Sequence, residues 1–322
     1  MGKASRTKQD SDRRARIAAQ REAQRRSEQR KRIYLAGGSI LVVVIVVVAI
    51  VLVKLNSNST PAPTSSGPTG TALATLTKQI TTIPSSTTDK VAGGGVNKSL
   101  FVPTQTTSQI SSASSQLGSY FGTTNSSTPL TSGGKPEVLY LGAEYCPYCA
   151  AQRWALANAL SRFGTFTGLT TTHSSSTDAD PNTPTLTFHG STYTSKYVNF
   201  TPVEETTNVP NGSGGYTTLD TPTAAEEKIG TQYDPEGAIP FIDFGNQYVQ
   251  VGNLAPLSPT MLAGQSWAQV GAAMASPSGN ALGTAEIGNA NYATAAICKM
   301  TNNQPATACT PTIQKLESDF AS

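Results

Sequence analysis

Val138-Leu-Tyr-Leu-Gly-Ala-Glu-Tyr-Cys146-Pro-Tyr-Cys149 decides the fold, because an apolar run stops and two thiols follow, separated only by Pro147 and Tyr148. The pattern predicts a short strand ending at Gly142 and a helix opening at Pro147. Proline suits a first helical position, where its missing N–H has no partner to lose. Cys146 then falls on the N-cap, where unpaired backbone N–H groups and the positive end of the helix dipole favour thiolate over thiol. The following Ala150-Ala-Gln-Arg-Trp-Ala-Leu-Ala-Asn-Ala-Leu160 consists mostly of good helix formers, with Trp154, Leu156 and Leu160 expected inward and Gly164 as the stop. Two cysteines one turn apart at a helix start read as a redox pair, Cys146 exchanging with a partner and Cys149 resolving the mixed disulfide. The alternative is a structural staple.

The formal net charge of +3 over 322 residues describes no real surface. Residues 1–32 hold twelve Lys/Arg against four Asp/Glu, a net of +8, and the remainder holds eleven against sixteen, a net of −5. Ile33 to Val53 carries no charge and is rich in Val and Ile; as a helix it would be about 31 Å long, enough to cross a bilayer core. One transmembrane helix over 33–53 is expected rather than a cleaved leader, whose apolar stretch is shorter and ends at small residues, whereas Lys54-Leu55-Asn56 follows here. The basic tail 1–32 then stays cytoplasmic, and the rest of this single-pass cell-membrane protein is extracytoplasmic, in a compartment that permits disulfides. Basic residues beside a span meet anionic lipid rather than nucleic acid. Residues 54–70, dominated by Ser, Thr, Pro, Gly and Asn, cannot bury enough apolar surface to fold and read as a stalk. The folded domain is expected over 71–322.

Leu73, Leu76, Ile80 and Ile83 recur at helical spacing before Pro84. Leu100-Phe101-Val102 and Tyr120-Phe121 suggest irregular strands or a hairpin on the main sheet. A second strand is expected over 165–171, then a hairpin of 185–188 with 193–200 turning at His189-Gly190-Ser191. A short helix over 223–229 leads to a strand over 238–245, opened by Pro240 and paired with 247–251. Helices over 266–275, 281–299 and 311–320 close the chain.

This order of elements resembles the thioredoxin-like fold, an α/β architecture. Tyr145-Cys146-Pro147-Tyr148-Cys149 resembles the active site of glutaredoxins and bacterial disulfide oxidoreductases, and Ile239-Pro240-Phe241 resembles the thioredoxin cis-proline segment. More closely, Lys135 through Phe166, with Ser266-Trp267 and Asn291-Tyr292, resembles a family of membrane-anchored thioredoxin-like proteins from bacteria and archaea that forms a domain of unknown function. The resemblance covers residues 71 to 320 and implies a cis bond before Pro240. It also implies a substrate-binding surface from Tyr145, Pro147, Tyr148, Ile239 and Pro240, where an extended partner segment pairs with the Ile239 backbone. This chain departs from thioredoxins in placing 90 residues between Cys149 and Pro240, which implies an inserted subdomain. It departs again in placing Tyr140, six positions before Cys146, where thioredoxins carry a buried acid.

The expected activity is a thiol–disulfide oxidoreductase acting through Cys146 and Cys149 on extracytoplasmic protein thiols and disulfides, with a membrane redox protein as a further partner and no cofactor. The rival is a non-catalytic surface-binding or scaffold protein with both cysteine pairs as staples. Cys298 and Cys309 enclose ten residues with the turn-like Asn302-Asn303-Gln304-Pro305. They favour a structural disulfide, with a second redox pair as the alternative. No metal is expected, since the four cysteines, His173 and His189 lack paired ligand spacing. Both histidines read as loop surface, and the doublets Glu204-Glu205 and Glu226-Glu227 as solvated. Gly93-Gly-Gly95 lacks the lysine and helix of a phosphate cradle.

Overall fold

The apolar run before the thiols becomes the interior of a mixed sheet. The computed structural model describes residues 67–105, 119–124 and 126–321. The expected basic tail and membrane span lie outside these residues, as does the stalk up to residue 66. Among the described residues no helix is long and apolar enough to cross a membrane.

The chain opens with α1 (Gly70–Thr81) and α2 (Ser85–Val91), then β1 (Phe101–Gln105), β2 (Tyr120–Thr124), β3 (Thr131–Ser132) and β4 (Lys135–Gly142). The dithiol helix α3 (Pro147–Ser161) follows, then β5 (Gly164–Thr167), β6 (Thr170–His173), β7 (Pro184–Thr187), β8 (Thr192–Ser195) and β9 (Asn199–Glu204). A small hairpin of β10 (Thr206–Pro210) and β11 (Tyr216–Thr218) precedes α4 (Ala224–Tyr233), β12 (Phe241–Phe244) and β13 (Tyr248–Val251). Three helices close it: α5 (Trp267–Ala275), α6 (Ala281–Met300) and α7 (Pro311–Leu316), the last continuing as a 3-10 turn over Glu317–Ala321.

The central sheet runs β1-β2-β13-β12-β4, with β9 parallel to β4 on its other side and β3 on the first residues of β4. Both faces of β4 are covered from Val138 onward, which is why its sequence is an unbroken apolar run rather than an alternating one. Val138 and Tyr140 enter the larger core with α3 and α6; Leu139 and Leu141 enter a smaller one with Phe241, Val249, Val251 and Tyr233 of α4. The helix α3 is buried on every side from Cys149 through Leu160, not only at Trp154, Leu156 and Leu160, because it packs both on the sheet side and along α6.

Several strands differ from expectation. The stretch 165–171 breaks at Gly168 (φ +78°), so β5 pairs with β8 and β6 with β7 in one interrupted antiparallel ribbon. The segments 185–188 and 193–200 therefore do not pair with each other. Phe200 instead travels with β9 into the sheet, packing edge-on against Phe188 at 5.0 Å. Strands β1 and β2 are parallel neighbours that extend the sheet through β13. The 90 residues between Cys149 and Pro240 are not a separate body: they supply α3, β9 and core residues Leu186 and Phe188.

The glycine run finds a use in packing. At Gly94 (φ +59°) a Cβ would fall 2.6 Å from the Gly288 Cα, so the loop after α2 crosses α6 at backbone contact. Polar pins hold the same junction: Arg162 donates to Asn158 Oδ1 at 2.6 Å and Asn291 Oδ1 at 2.8 Å, and Asn291 donates to the Thr88 and Ala92 carbonyls. Trp267 Nε1 donates to the Thr185 carbonyl at 2.8 Å. Cys298 and Cys309 form a disulfide with a Cα separation of 5.6 Å, tying the last turn of α6 to the residue before the Thr310 cap of α7.

Candidate functional site

Cys146 is the N-cap of α3 and Pro147 its first residue. The Cys146 Sγ accepts the backbone N–H of Cys149 at 3.2 Å, and its S–H faces the Ile239 carbonyl at 3.7 Å. The Ile239–Pro240 bond is cis. The chain after β13 is tied to the same turn, with Gly252 N–H donating to the Pro240 carbonyl at 2.9 Å and Asn253 Nδ2 to the Tyr148 carbonyl at 3.0 Å. Both thiols are free and buried, Cys146 with 5% exposure and Cys149 with none.

Their environments push them apart. Cys146 is held below the ordinary thiol range chiefly by a hydrogen bond from the Cys149 thiol; burial opposes this, and the Cys149 N–H and the Arg153 charge reinforce it. Cys149 is pushed well up, first by burial and then by its hydrogen bond to Cys146 and the charge there. The arrangement moves the two sulfurs in opposite directions, Cys146 toward thiolate and Cys149 toward thiol.

Beneath them sits an ion pair. Arg153, fully buried on α3, grips Glu204 through Nε at 2.7 Å and Nη2 at 2.6 Å, and Nη2 also donates to the Ala143 carbonyl at 2.7 Å. Burial alone would lower the Arg153 pKa, and the Glu204 charge and hydrogen bond raise it well above the ordinary value, so the cation is fixed. Glu204 therefore does not belong to a solvated doublet. It ends β9 with its side chain under α3, while Glu205, one residue on, faces the other way and is half-buried. Glu226 serves in the capping box of α4 with Thr223. Six positions before Cys146, Tyr140 is fully buried with no hydrogen-bond partner for its hydroxyl among the described residues, and burial raises its pKa well above ordinary. The charge acting on both sulfurs is thus the Arg153 cation.

Tyr145 stacks on Tyr216 of β11, ring centroids 4.2 Å apart and planes within 4°, and its carbonyl accepts the Ser175 N–H at 2.8 Å. The β10–β11 hairpin is thereby held beside the dithiol loop, with Asn208 Nδ2 donating to the His173 carbonyl at 2.7 Å. Tyr148 projects outward with 47% exposure. Of the residues singled out in the sequence, Cys146, Cys149 and Ile239 converge, Tyr145 and Tyr148 flank them, and Pro147 and Pro240 are buried supports. Cys298 and Cys309 belong to the α6–α7 junction instead. His173 is half-buried in β6 rather than in a loop, and His189 pairs with Asp220 at 2.8 Å in an exposed turn. Among the described residues no three His, Cys, Asp or Glu side chains gather closely enough to hold a metal ion.

Besides the misread Glu204, the residues that the sequence did not single out are Arg153, Gln152, Gln250 and Asn253. Gln250 and Asn253 both donate to Gln152 Oε1, at 2.9 and 3.2 Å, in a buried amide cluster beside the dithiol turn. The available signal was Gln152-Arg153 inside a helix made mostly of Ala, Leu and Trp, since polar residues in such a helix need buried partners.

Residues 123–214 match a family model described as a domain of unknown function, DUF929. The match takes in β4, both thiols, α3, β9 and the β10 strand. No curated protein and no solved structure matches the chain.

Proposed function

We propose that this protein is a thiol–disulfide oxidoreductase on a thioredoxin-like fold, anchored in the cell membrane by residues 33–53 and working on extracytoplasmic proteins. The observation that carries the proposal is the placement of Cys146 at a helix N-cap, accepting from Cys149 N–H and facing the Ile239 carbonyl. A capping sulfur gains most as thiolate, and a partner's chain laid along Ile239 brings its own sulfur to the same point. The order β9-β4-β12-β13, with the dithiol helix after β4 and Pro240 before β12, supports the fold assignment.

In the reducing direction, the Cys146 thiolate attacks one sulfur of a substrate disulfide. A Cys146–substrate bond forms, the substrate S–S bond breaks, and the second substrate sulfur leaves as thiolate. Cys149 then loses its proton to solvent or to that thiolate and attacks the Cys146 Sγ. The Cys146–Cys149 disulfide forms as the Cys146–substrate bond breaks, the substrate sulfur leaves as thiolate and takes a proton from solvent to complete the dithiol, and two electrons have passed from the protein to the substrate. Read backwards, the same steps oxidise a substrate dithiol. Arg153 holds positive charge under the pair in either direction, and a membrane redox partner would reset it.

Trapping tests this. In the full chain with Cys149→Ala, the mixed disulfide cannot be resolved, so a substrate disulfide should remain covalently attached at Cys146 and be released by reductant. No adduct with any protein or peptide disulfide contradicts the proposal. The near-complete burial of both thiols favours the scaffold reading to the extent that it blocks reagents, so alkylation separates the two. Rapid labelling of Cys146 by iodoacetamide supports exchange, and resistance in the folded protein supports a scaffold.

A further inference from the structure

Against Ile239 lies a cleft of about 400 Å³ between α4 and the end of β4. Leu141, Ile239 and Phe241 give it an apolar wall, while Glu205, Glu227 and Asp234 also line it; no Lys, Arg or His is among its lining residues. Asp234 is already engaged, accepting the Ala238 N–H at 2.5 Å. Glu205 and Glu227 come from different elements. The Glu205 backbone is fixed by its N–H to the Gly142 carbonyl at 2.8 Å and its carbonyl to the Leu219 N–H at 2.9 Å, and Glu227 stands in the first turn of α4.

Glu205 is raised first by burial and then by the charge of Glu227, which stands across the same cleft. Two like charges converging on one cavity, one of them partly desolvated, are a cost that a cation would remove. The cleft also shares a residue with the exchange site. Ile239 lines it, and the carbonyl of the same residue faces the Cys146 Sγ at 3.7 Å. A chain laid along Ile239 with its sulfur at Cys146 therefore runs next to a residue of the cleft wall.

We infer that this cleft takes a lysine or arginine side chain of the substrate, within a few residues of the reacting cysteine, its aliphatic stem on Leu141, Ile239 and Phe241 and its cation between Glu205 and Glu227. The combination of apolar wall and acidic rim suits a side chain that is itself apolar along its stem and charged at its head. The inference rests on the exchange reading and adds to it the class of substrate: extended segments with a basic residue next to the reactive cysteine.

The test uses the full chain and three disulfide-linked peptides, identical except for Lys, norleucine or Glu beside the cysteine. The exchange rate should fall in that order, with Lys over Glu by about fivefold or more at low salt. In Glu205→Gln/Glu227→Gln the Lys-to-norleucine ratio should collapse to about one, while Lys228→Ala, outside the cleft on the same helix, should keep the ratio. The single exposed change Glu227→Gln should reduce the ratio in part and guards against misfolding of the double variant. Equal rates for all three peptides, or a preference that survives the double variant, overturn the inference and leave the exchange reading standing. Absence of exchange with every peptide overturns both.

Discussion

The two cysteine pairs of this chain are made from the same atoms and have opposite surroundings. Cys298 and Cys309 are bonded, fully buried, and join α6 to α7. Cys146 and Cys149 are free and lie at a helix start, with the first pushed below the ordinary thiol range and the second above it. On the proposed exchange reading, the difference teaches that what marks a pair for chemistry is asymmetry. A staple needs only two sulfurs at bonding distance, whereas exchange needs a nucleophile, a resolving thiol held in reserve and an approach for a partner.

The comparison breaks most visibly at Cys146. Cys146→Ser should lower disulfide exchange by at least about a thousandfold, while Cys298→Ala should leave the exchange rate per folded molecule within about twofold. Stopped-flow exchange with a peptide disulfide reads both, and the reverse pattern would make Cys298–Cys309 the working pair. Next in size is the ion pair. Arg153→Met leaves Glu204 buried without its partner and should cost about 3–5 kcal/mol in urea unfolding, with Arg153→Met/Glu204→Leu recovering much of it. An Arg153 variant as stable as the original would remove the pair from the account. Cys298→Ala should cost about 2–3 kcal/mol, read as a lower unfolding midpoint, and no loss would deny the staple role.

The smallest effect is the pH profile. Cys146 has its folded pKa below the ordinary thiol value of 9.0, so its iodoacetamide labelling should have a midpoint under that pH. Cys149→Ala removes the thiol that donates to Cys146 and should move the midpoint up. The sign carries into stability. A depressed acid contributes stability to the reduced protein that is fully present above 9.0 and is lost as pH falls through the folded value. Above 9.0 the raised pKa of Cys149 works the other way, favouring the unfolded chain as pH climbs. Reduced and oxidised forms should therefore differ in the pH dependence of their unfolding midpoints, and parallel curves would show that the sulfurs are unperturbed.

The dithiol and its support were legible because their signals are local. Pro147 after Cys146 fixes a helix start, and Pro240 before Phe241-Ile242-Asp243-Phe244 marks a strand opening. The paired strands β12 and β13 and the closing helices α5 and α6 follow from short-range periodicity in the same way. What was illegible depends on distant partners. Glu204 looked like half of a surface doublet, since nothing in residues 204–205 says that Arg153 waits beneath α3. The ribbon of β5 to β8 was misread because Gly168 shifts register between two halves, and its pairing is set by Phe166, Phe188, Tyr193 and Phe200 meeting in one cluster. At the Gly93-Gly-Gly95 run a Cβ on Gly94 would strike Gly288 of α6 and one on Gly93 would meet Tyr292, contacts that no local signal in the run announces.

The most direct test of the central claim is a redox titration of the full chain in detergent, quantifying free Cys146 and Cys149 by alkylation and mass spectrometry across a graded thiol–disulfide buffer. The account predicts one reversible two-electron transition confined to this pair, absent in Cys146→Ser, while Cys298–Cys309 stays bonded throughout. A pair that remains in one state across the series, or a transition that belongs to Cys298 and Cys309, would contradict it.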